Sequence, residues 1–445
     1  MKTTLTLLAL ASAAFAQGPL APPGAPAPTM KTLDEIHAKV AEVGEKRTPI
    51  SSIPFTITQP GSYYLASNLS TALAVDGISI DAKNVTIDLN GFRMTGFGAG
   101  LAAIKVTNTT VNTETLVVKN GTIDGWQTAV GGNSDEILGG TIEGLQIKGG
   151  WGIVLNQAKN FTVKECSLDG SASSSPSGVI HIGAQGSVIG CRISNAGGAL
   201  IAYGIVVGEN SQVGNCAVAG AYRAVVAGAQ SGISHCSVKS FGTAGVVVGP
   251  GSLVEDVSVT NGTGPFSTGI EVTEGAGAVI LKCRVSTCVL GIVGGEGVGS
   301  RVADCIVTST SGTGISALHV SGSTVDTAAT TGIYVHNNGS AQNCIVIRSN
   351  IGIGCNDDSQ INGNSCTLNY HGIFIYGARC TIRDNSVNRC VEGIRLEGSS
   401  NTVTRNTFRG FLPNTAIYIV PGQLNDIGPI GTAAASTSPF ANISN

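Results

Sequence analysis

Between residues 334 and 418 the sequence gathers the side chains best suited to chemistry: Tyr334, His336, Asn356, Asp357, Asp358, Phe374, Tyr376, Arg395, Glu397 and Tyr418. Flat aromatic faces beside hydrogen-bonding and charged groups suit sugar rings. In that chemistry Tyr334, His336, Asn356, Phe374, Tyr376 and Tyr418 would bind the substrate. Asp357 or Asp358 with Glu397 would supply the paired carboxylates of a glycosidase, and Arg395 would meet the carboxylate of an acidic sugar. Each residue also has a plainer reading. Asp357-Asp358 is then a solvated turn, Arg395 with Glu397 an exposed strand pair, and the rings cross-strand packing. Calcium at Asn356, Asp357 and Asp358 is a further alternative, although three adjacent oxygens fall short of the six to eight ligands that calcium takes. The reading carries no other cofactor.

These residues share a surface only if the chain returns to the same place at a fixed step, and it does. Cys344, Asn364, Asn385 and Asn406 stand 20, 21 and 21 residues apart. A second marker keeps the step: Thr331-Gly332-Ile333, Ile351-Gly352-Ile353, His371-Gly372-Ile373 and Glu392-Gly393-Ile394. Earlier copies occur at Gly204-Ile205, Gly245-Val246, Gly269-Ile270 and Gly291-Ile292. Two phase-locked markers mean one unit stacked on itself. The step holds two or three short strands and turns but is too short for a strand-helix crossover, which takes about 30 residues. The expected fold is all-β, a single-stranded parallel β-helix of roughly fourteen coils, about 4.8 Å apart.

In a Gly-Ile-x-Val run the Ile and Val point inward and x points out. The outward column then reads Val154, His181, Val206, Val226, Val247, Glu271, Val293, Ser316, Tyr334, Gly354, Phe374, Arg395 and Tyr418, with His336, Asn356, Tyr376 and Glu397 beside it. An aspartate of the turn and Glu397 fall about two coils apart, near 10 Å, closer to inverting than to retaining spacing. Val206, Val226, Val247 and Val293 form an apolar stripe. A covering loop, a contact with a second copy, or simple β-propensity would each explain it.

Composition fits a stacked solenoid. The 62 glycines and 12% charged residues would suggest low complexity, but 42% hydrophobic residues at alternating positions argue for a repeated core. A net charge of −3 gives no footprint for nucleic acid or an anionic membrane. Met1 to Ala16 reads as a secretory signal peptide, so the chain is expected to be exported, to the periplasm or beyond the cell, with no membrane insertion. Residues 17–31 read as a proline-rich spacer and 32–50 as an N-terminal helical cap. Its helix over 33–46 opens on the capping box Thr32-x-x-Glu35. The β-helix is expected over 51–411, with a C-terminal cap or tail over 412–445. Of 12 cysteines, Cys166, Cys191, Cys216, Cys236, Cys283, Cys305 and Cys344 recur in one slot and are expected as small buried hydrophobes. Cys283 with Cys288, or Cys380 with Cys390, would be bridges on the other reading.

The Gly-Ile-x-Val/Ile runs, the Asn385/Asn406 ladder, Pro60-Gly61-Ser62-Tyr63-Tyr64 and Ile87-Asp88-Leu89-Asn90-Gly91-Phe92 resemble the right-handed parallel β-helix repeat proteins of the pectin-lyase-like superfold, exported bacterial ones in particular. The resemblance covers about 53–425 and implies a right-handed coil. Enzymes of that superfold act on acidic polysaccharides as calcium-dependent lyases or as hydrolases. The hydrolase motifs are absent here as a set. Asn356-Asp357-Asp358 and His371-Gly372 only echo them, and in register they lie at opposite ends of a strand. The expectation is an exported protein that binds, or cleaves as a lyase or hydrolase, a polysaccharide on its C-terminal coils. The alternative is a non-catalytic structural or adhesive rod that self-associates through the valine stripe.

Overall fold

The computed structural model describes residues 32–35, 45–96, 101–107, 115–132, 137–170, 179–195, 202–273, 277–295, 297, 299–410, 416–432 and 438–444. Met1–Lys46 and Arg47–Asn445 are separate compact units. In the first, the capping box forms: the Thr32 N–H donates to the Glu35 carboxylate at 2.9 Å and the Glu35 N–H to the Thr32 hydroxyl at 3.1 Å. Residues 33–35 are helical. The expected signal peptide, the spacer up to residue 31 and the rest of the helix lie outside the described residues.

The second unit is a parallel solenoid of about 15 turns. Three strands make one turn. Tyr203–Val207, Gln212–Gly214 and Ala217–Ala219 pair in parallel with Arg223–Ala227, Gly232–Ser234 and Ser237–Phe241 of the next turn. Alternation buries one side of every strand, as in Ile205 and Val207 around the half-exposed Val206. The Ile and Val of successive turns thus stack into one continuous core. Pairing begins at Thr48–Ile50 and continues past residue 411, where Ile417–Ile419, Asp426–Ile427 and Asn442–Ser444 each add to the strand one turn before. The segment expected as a tail is therefore partly ladder.

The corners explain the first sequence marker. A residue in the left-handed region turns the chain, such as Asn215 (φ 55°), Lys282 (φ 52°) or Arg405 (φ 57°), and the next residue points inward. That inward slot runs Cys166, Cys191, Cys216, Cys236, Val257, Cys283, Cys305, Ser323, Cys344, Asn364, Asn385 and Asn406, each carbonyl accepting from the turn above. All twelve cysteines are buried and free, so neither suggested bridge forms. Burial pushes the Cys344 thiol up to about 11, which keeps it protonated. In the last turns the slot becomes an amide ladder: Asn385 Nδ2 donates to Asn406 Oδ1 at 2.9 Å, and Asn364 Nδ2 to Asn385 Oδ1 at 3.0 Å. Ion pairs tie neighbouring turns outside, including Lys282 with Glu255 at 2.9 Å. No described helix is long and apolar enough to cross a membrane.

Candidate functional site

Strand register fixes the outward column as the alternation requires: Ser316, Tyr334, Gly354, Phe374, Arg395 and Tyr418 stand directly over one another. Parallel pairing holds them at the inter-strand spacing of about 4.8 Å, and with Gly354 between them the rings of Tyr334 and of Phe374 stand two turns apart. Phe374 and Tyr376 lie 4.3 Å apart between ring centres and are tilted by 31°. Tyr334 stands 6.3 Å from Tyr376 and 5.1 Å, edge-on, from His336. Gly354 leaves the notch into which these rings lean, since a Cβ there would meet Tyr376 Cε2 at 3.2 Å. His336 Nε2 in turn lies 3.0 Å from the Ser316 hydroxyl.

Arg395 lies between two rings, its guanidinium carbon 5.3 Å from the centre of Phe374 and 5.0 Å from that of Tyr418. Cation–π attraction holds the side chain along the face. Its charge is met within the chain, by Glu397 at 3.2 Å and Glu392 at 3.6 Å. Arg395, expected to pair with a uronate carboxylate, is thus met by two carboxylates of the chain itself. Phe374 is also more enclosed than a binding platform, at 8% exposure, whereas Tyr376 and Tyr418 are 39% and 40% exposed.

Two contributors escaped the sequence reading. His371 packs edge-on between Tyr370 at 4.6 Å and Phe374 at 5.1 Å, and its Nδ1 lies 2.9 Å from Glu392 Oε2. Burial lowers the His371 pKa below its ordinary value, against the opposing pull of Glu392. Both residues immediately precede a Gly-Ile marker, and they stack in adjacent turns for that reason. His371 thus stands among the aromatic residues.

The turn acids take structural roles. Asp357 Oδ1 accepts from the Ala378 N–H at 2.7 Å. Asp358 receives Arg379 Nε at 2.7 Å and Nη2 at 2.6 Å, a two-pronged pair to the next turn. Arg379 holds the Asp358 carboxyl below its ordinary 3.8. A glycosidase acid needs the opposite shift, upward. The lowered Asp358 carboxyl thus does not suit the acid's role, whereas the base of such a pair acts ionised. The neighbouring Asn356 is half-buried, and its carbonyl lies 2.9 Å from Cys380 Sγ. Among the described residues no three His, Cys, Asp or Glu side chains converge as metal ligands.

Glu392 and Glu397 against Arg395, and Asp357 and Asp358 against Arg379, each leave one negative charge in excess. The face is aromatic, hydrogen-bonding and mildly acidic. On the same column further back, Val247 is buried and Val206, Val226 and Val293 are half-buried. The valine stripe consequently offers little apolar area to a second copy.

Residues 223–359 match the family model for the right handed beta helix region. No curated protein matches the sequence. Among solved structures, the catalytic domain of a GH87 alpha-1,3-glucanase in complex with tetrasaccharides is 11% identical and covers 96% of this chain and 70% of its own, with a TM-score of 0.32. The periplasmic alginate epimerase AlgG is 11% identical over 83% of this chain and 85% of its own, with a TM-score of 0.31. The A-module of the Azotobacter vinelandii mannuronan C-5 epimerase AlgE4 is 12% identical over 92% and 94%, with a TM-score of 0.21. Likenesses this distant say nothing of what this chain does. The family match lies within a parallel ladder that runs from Thr48 to Ser444, so the matched region is part of a parallel β-helix fold.

Proposed function

We propose that this protein binds a neutral polysaccharide along the outward face of its last five turns, and that it does so after export. The observation that carries the reading is the stack of Tyr334, Phe374, Tyr376 and Tyr418, with Arg395 held flat between rings by its own carboxylates. Rings two turns apart, roughly 10 Å along the ladder, offer apolar faces spaced along a glycan chain, and His336, Asn356 and Glu397 stand beside them to meet hydroxyls. The mild excess of negative charge disfavours uronates. Binding rather than cleavage is the supported role, because the turn carboxylates are engaged in ties between turns.

A glycan array with purified residues 17–445, read with and without calcium, tests this. The expected result is retention of one neutral glycan family, unaffected by a chelator. Tyr376→Ala with Tyr418→Ala should weaken retention about tenfold or more while leaving the melting temperature unchanged, because both rings are exposed. Preferential binding of polyuronates, or full retention by the double variant, would sink the reading.

A further inference from the structure

The outward column carries glycine twice in its described length, at Gly354 and at Gly131, where Lys105, Gly131 and Val154 stack in three successive turns. At Gly354 neighbouring rings take up the room. At Gly131 they do not: the atoms nearest to a Cβ there would be the Thr128 methyl, at 2.8 Å, and the Val154 carbonyl, at 3.6 Å. Gly131 lines an open cavity of about 210 Å³ in the early turns, together with Trp151, Leu101 and Gln127. It belongs to a different part of the molecule from the aromatic stack, and nothing in the proposed polysaccharide face requires it.

Its polar side is already assembled. Asp76 accepts from Lys105 Nζ at 2.9 Å through one oxygen and from the Ala102 N–H at 3.1 Å through the other. The two charged side chains are only 16% and 26% exposed, so the pair is fixed in place and neutral as a whole. A carboxylate and an ammonium held side by side present an acceptor next to donors, the complement of two adjacent hydroxyls. The indole face of Trp151 complements the C–H face of a sugar ring. The volume falls below the roughly 300–1,000 Å³ of sites for drug-sized ligands, which limits the occupant to a single ring. A charged occupant would find no uncompensated partner in the Asp76–Lys105 pair.

We propose that this cavity is a binding site for one neutral sugar ring, a monosaccharide or the end of a glycan chain, stacked on Trp151 and held through vicinal hydroxyls by Asp76 and Lys105. The chain has two tryptophans, and the other, Trp126, is 2% exposed in the core. Quenching of tryptophan fluorescence by acrylamide therefore reports on Trp151, and it is blind to the C-terminal face, whose rings are Tyr and Phe.

The full chain is titrated with glucose, galactose, mannose and N-acetylglucosamine, and then with their neutral trisaccharides. At least one should protect Trp151 from acrylamide, with a Kd on the order of millimolar for a single ring. Gly131→Leu, whose backbone lies outside the left-handed region, should fill the cavity and abolish protection. Gln127→Ala, an exposed position, provides a second variant should the leucine disturb the fold, and should weaken protection several-fold with an unchanged melting temperature. No protection by any of these sugars, protection that survives in both variants, or protection by adenosine or gluconate in their place would overturn the proposal. Loss of glycan retention in Tyr376→Ala with intact protection of Trp151 separates this site from the polysaccharide face.

Discussion

Asp358 meets Arg379 one turn on, and Asp384 meets Arg405 in the same two-pronged way, with Arg405 Nε 2.7 Å from Asp384 Oδ1. In each pair the guanidinium holds the carboxyl below its ordinary 3.8. A carboxyl whose folded pKa is depressed contributes stability that is present above the unfolded value and lost as pH falls through the folded one. Both pairs are exposed, so each contribution is small. His371 acts earlier in the same direction. Burial depresses its pKa, so protonation is resisted in the folded state and stability declines once pH drops below the ordinary 6.5. Urea midpoints measured from pH 7 to pH 2 should therefore fall in two steps. His371→Gln should lessen the one that begins below pH 6.5, to which His181, also lowered by burial, contributes, and Asp358→Asn with Asp384→Asn the one below pH 4. A wild-type midpoint that stays level from pH 7 to pH 5 would refute the role given to His371.

At the scale of the turn, one inward slot changes from Cys through Ser323 to Asn along the chain, and the change alters what the slot contributes. Cys216 fills space, and Cys216→Ala should cost about 1 kcal/mol for the lost packing. Asn385 does more. Its Oδ1 accepts from the Asn364 backbone at 2.9 Å and side chain at 3.0 Å, while its Nδ2 donates to the Ile361 carbonyl at 2.8 Å and to Asn406. Asn385→Ala strands the buried donors of Asn364 and the acceptors of Ile361 and Asn406, each costing about 1–3 kcal/mol, so its total should exceed about 3 kcal/mol. Denaturant unfolding of the two variants checks the contrast, and equal losses would contradict it. This element was legible in advance, because Cys344, Asn364, Asn385 and Asn406 keep step and the Gly-Ile markers fix which residues face out. The candidate site was legible only as a set of neighbours. Register brings Tyr334, Phe374, Arg395 and Tyr418 together, but it does not say that Glu392 and Glu397 neutralise Arg395, or that Ala378 and Arg379 occupy Asp357 and Asp358. Those outcomes depend on rotamers and on partners a whole turn away. The cavity at Gly131 was missed for a related reason, since an absent side chain leaves no motif.

A solenoid couples its parts only through nearest neighbours, and this governs how the two proposed sites behave together. From Gly131 to Gly354 the column passes through Val154, His181, Val206, Val226, Val247, Glu271, Val293, Ser316 and Tyr334, so the sites lie roughly 50 Å apart along the ladder. The described turns along that path stack on one continuous core of mostly aliphatic side chains. A ligand shifts a distant site only by biasing an element that has two states, and a close-packed core resists such a change. Occupancy of one site should accordingly leave the other unchanged. Saturating the C-terminal face with its polysaccharide should leave the sugar concentration that half-protects Trp151 the same within error, and Gly131→Leu should retain glycan as the unmodified chain does. A shift of fivefold or more in either direction would correspond to the coupling of ordinary allostery and would require a conformational switch in the turns between them.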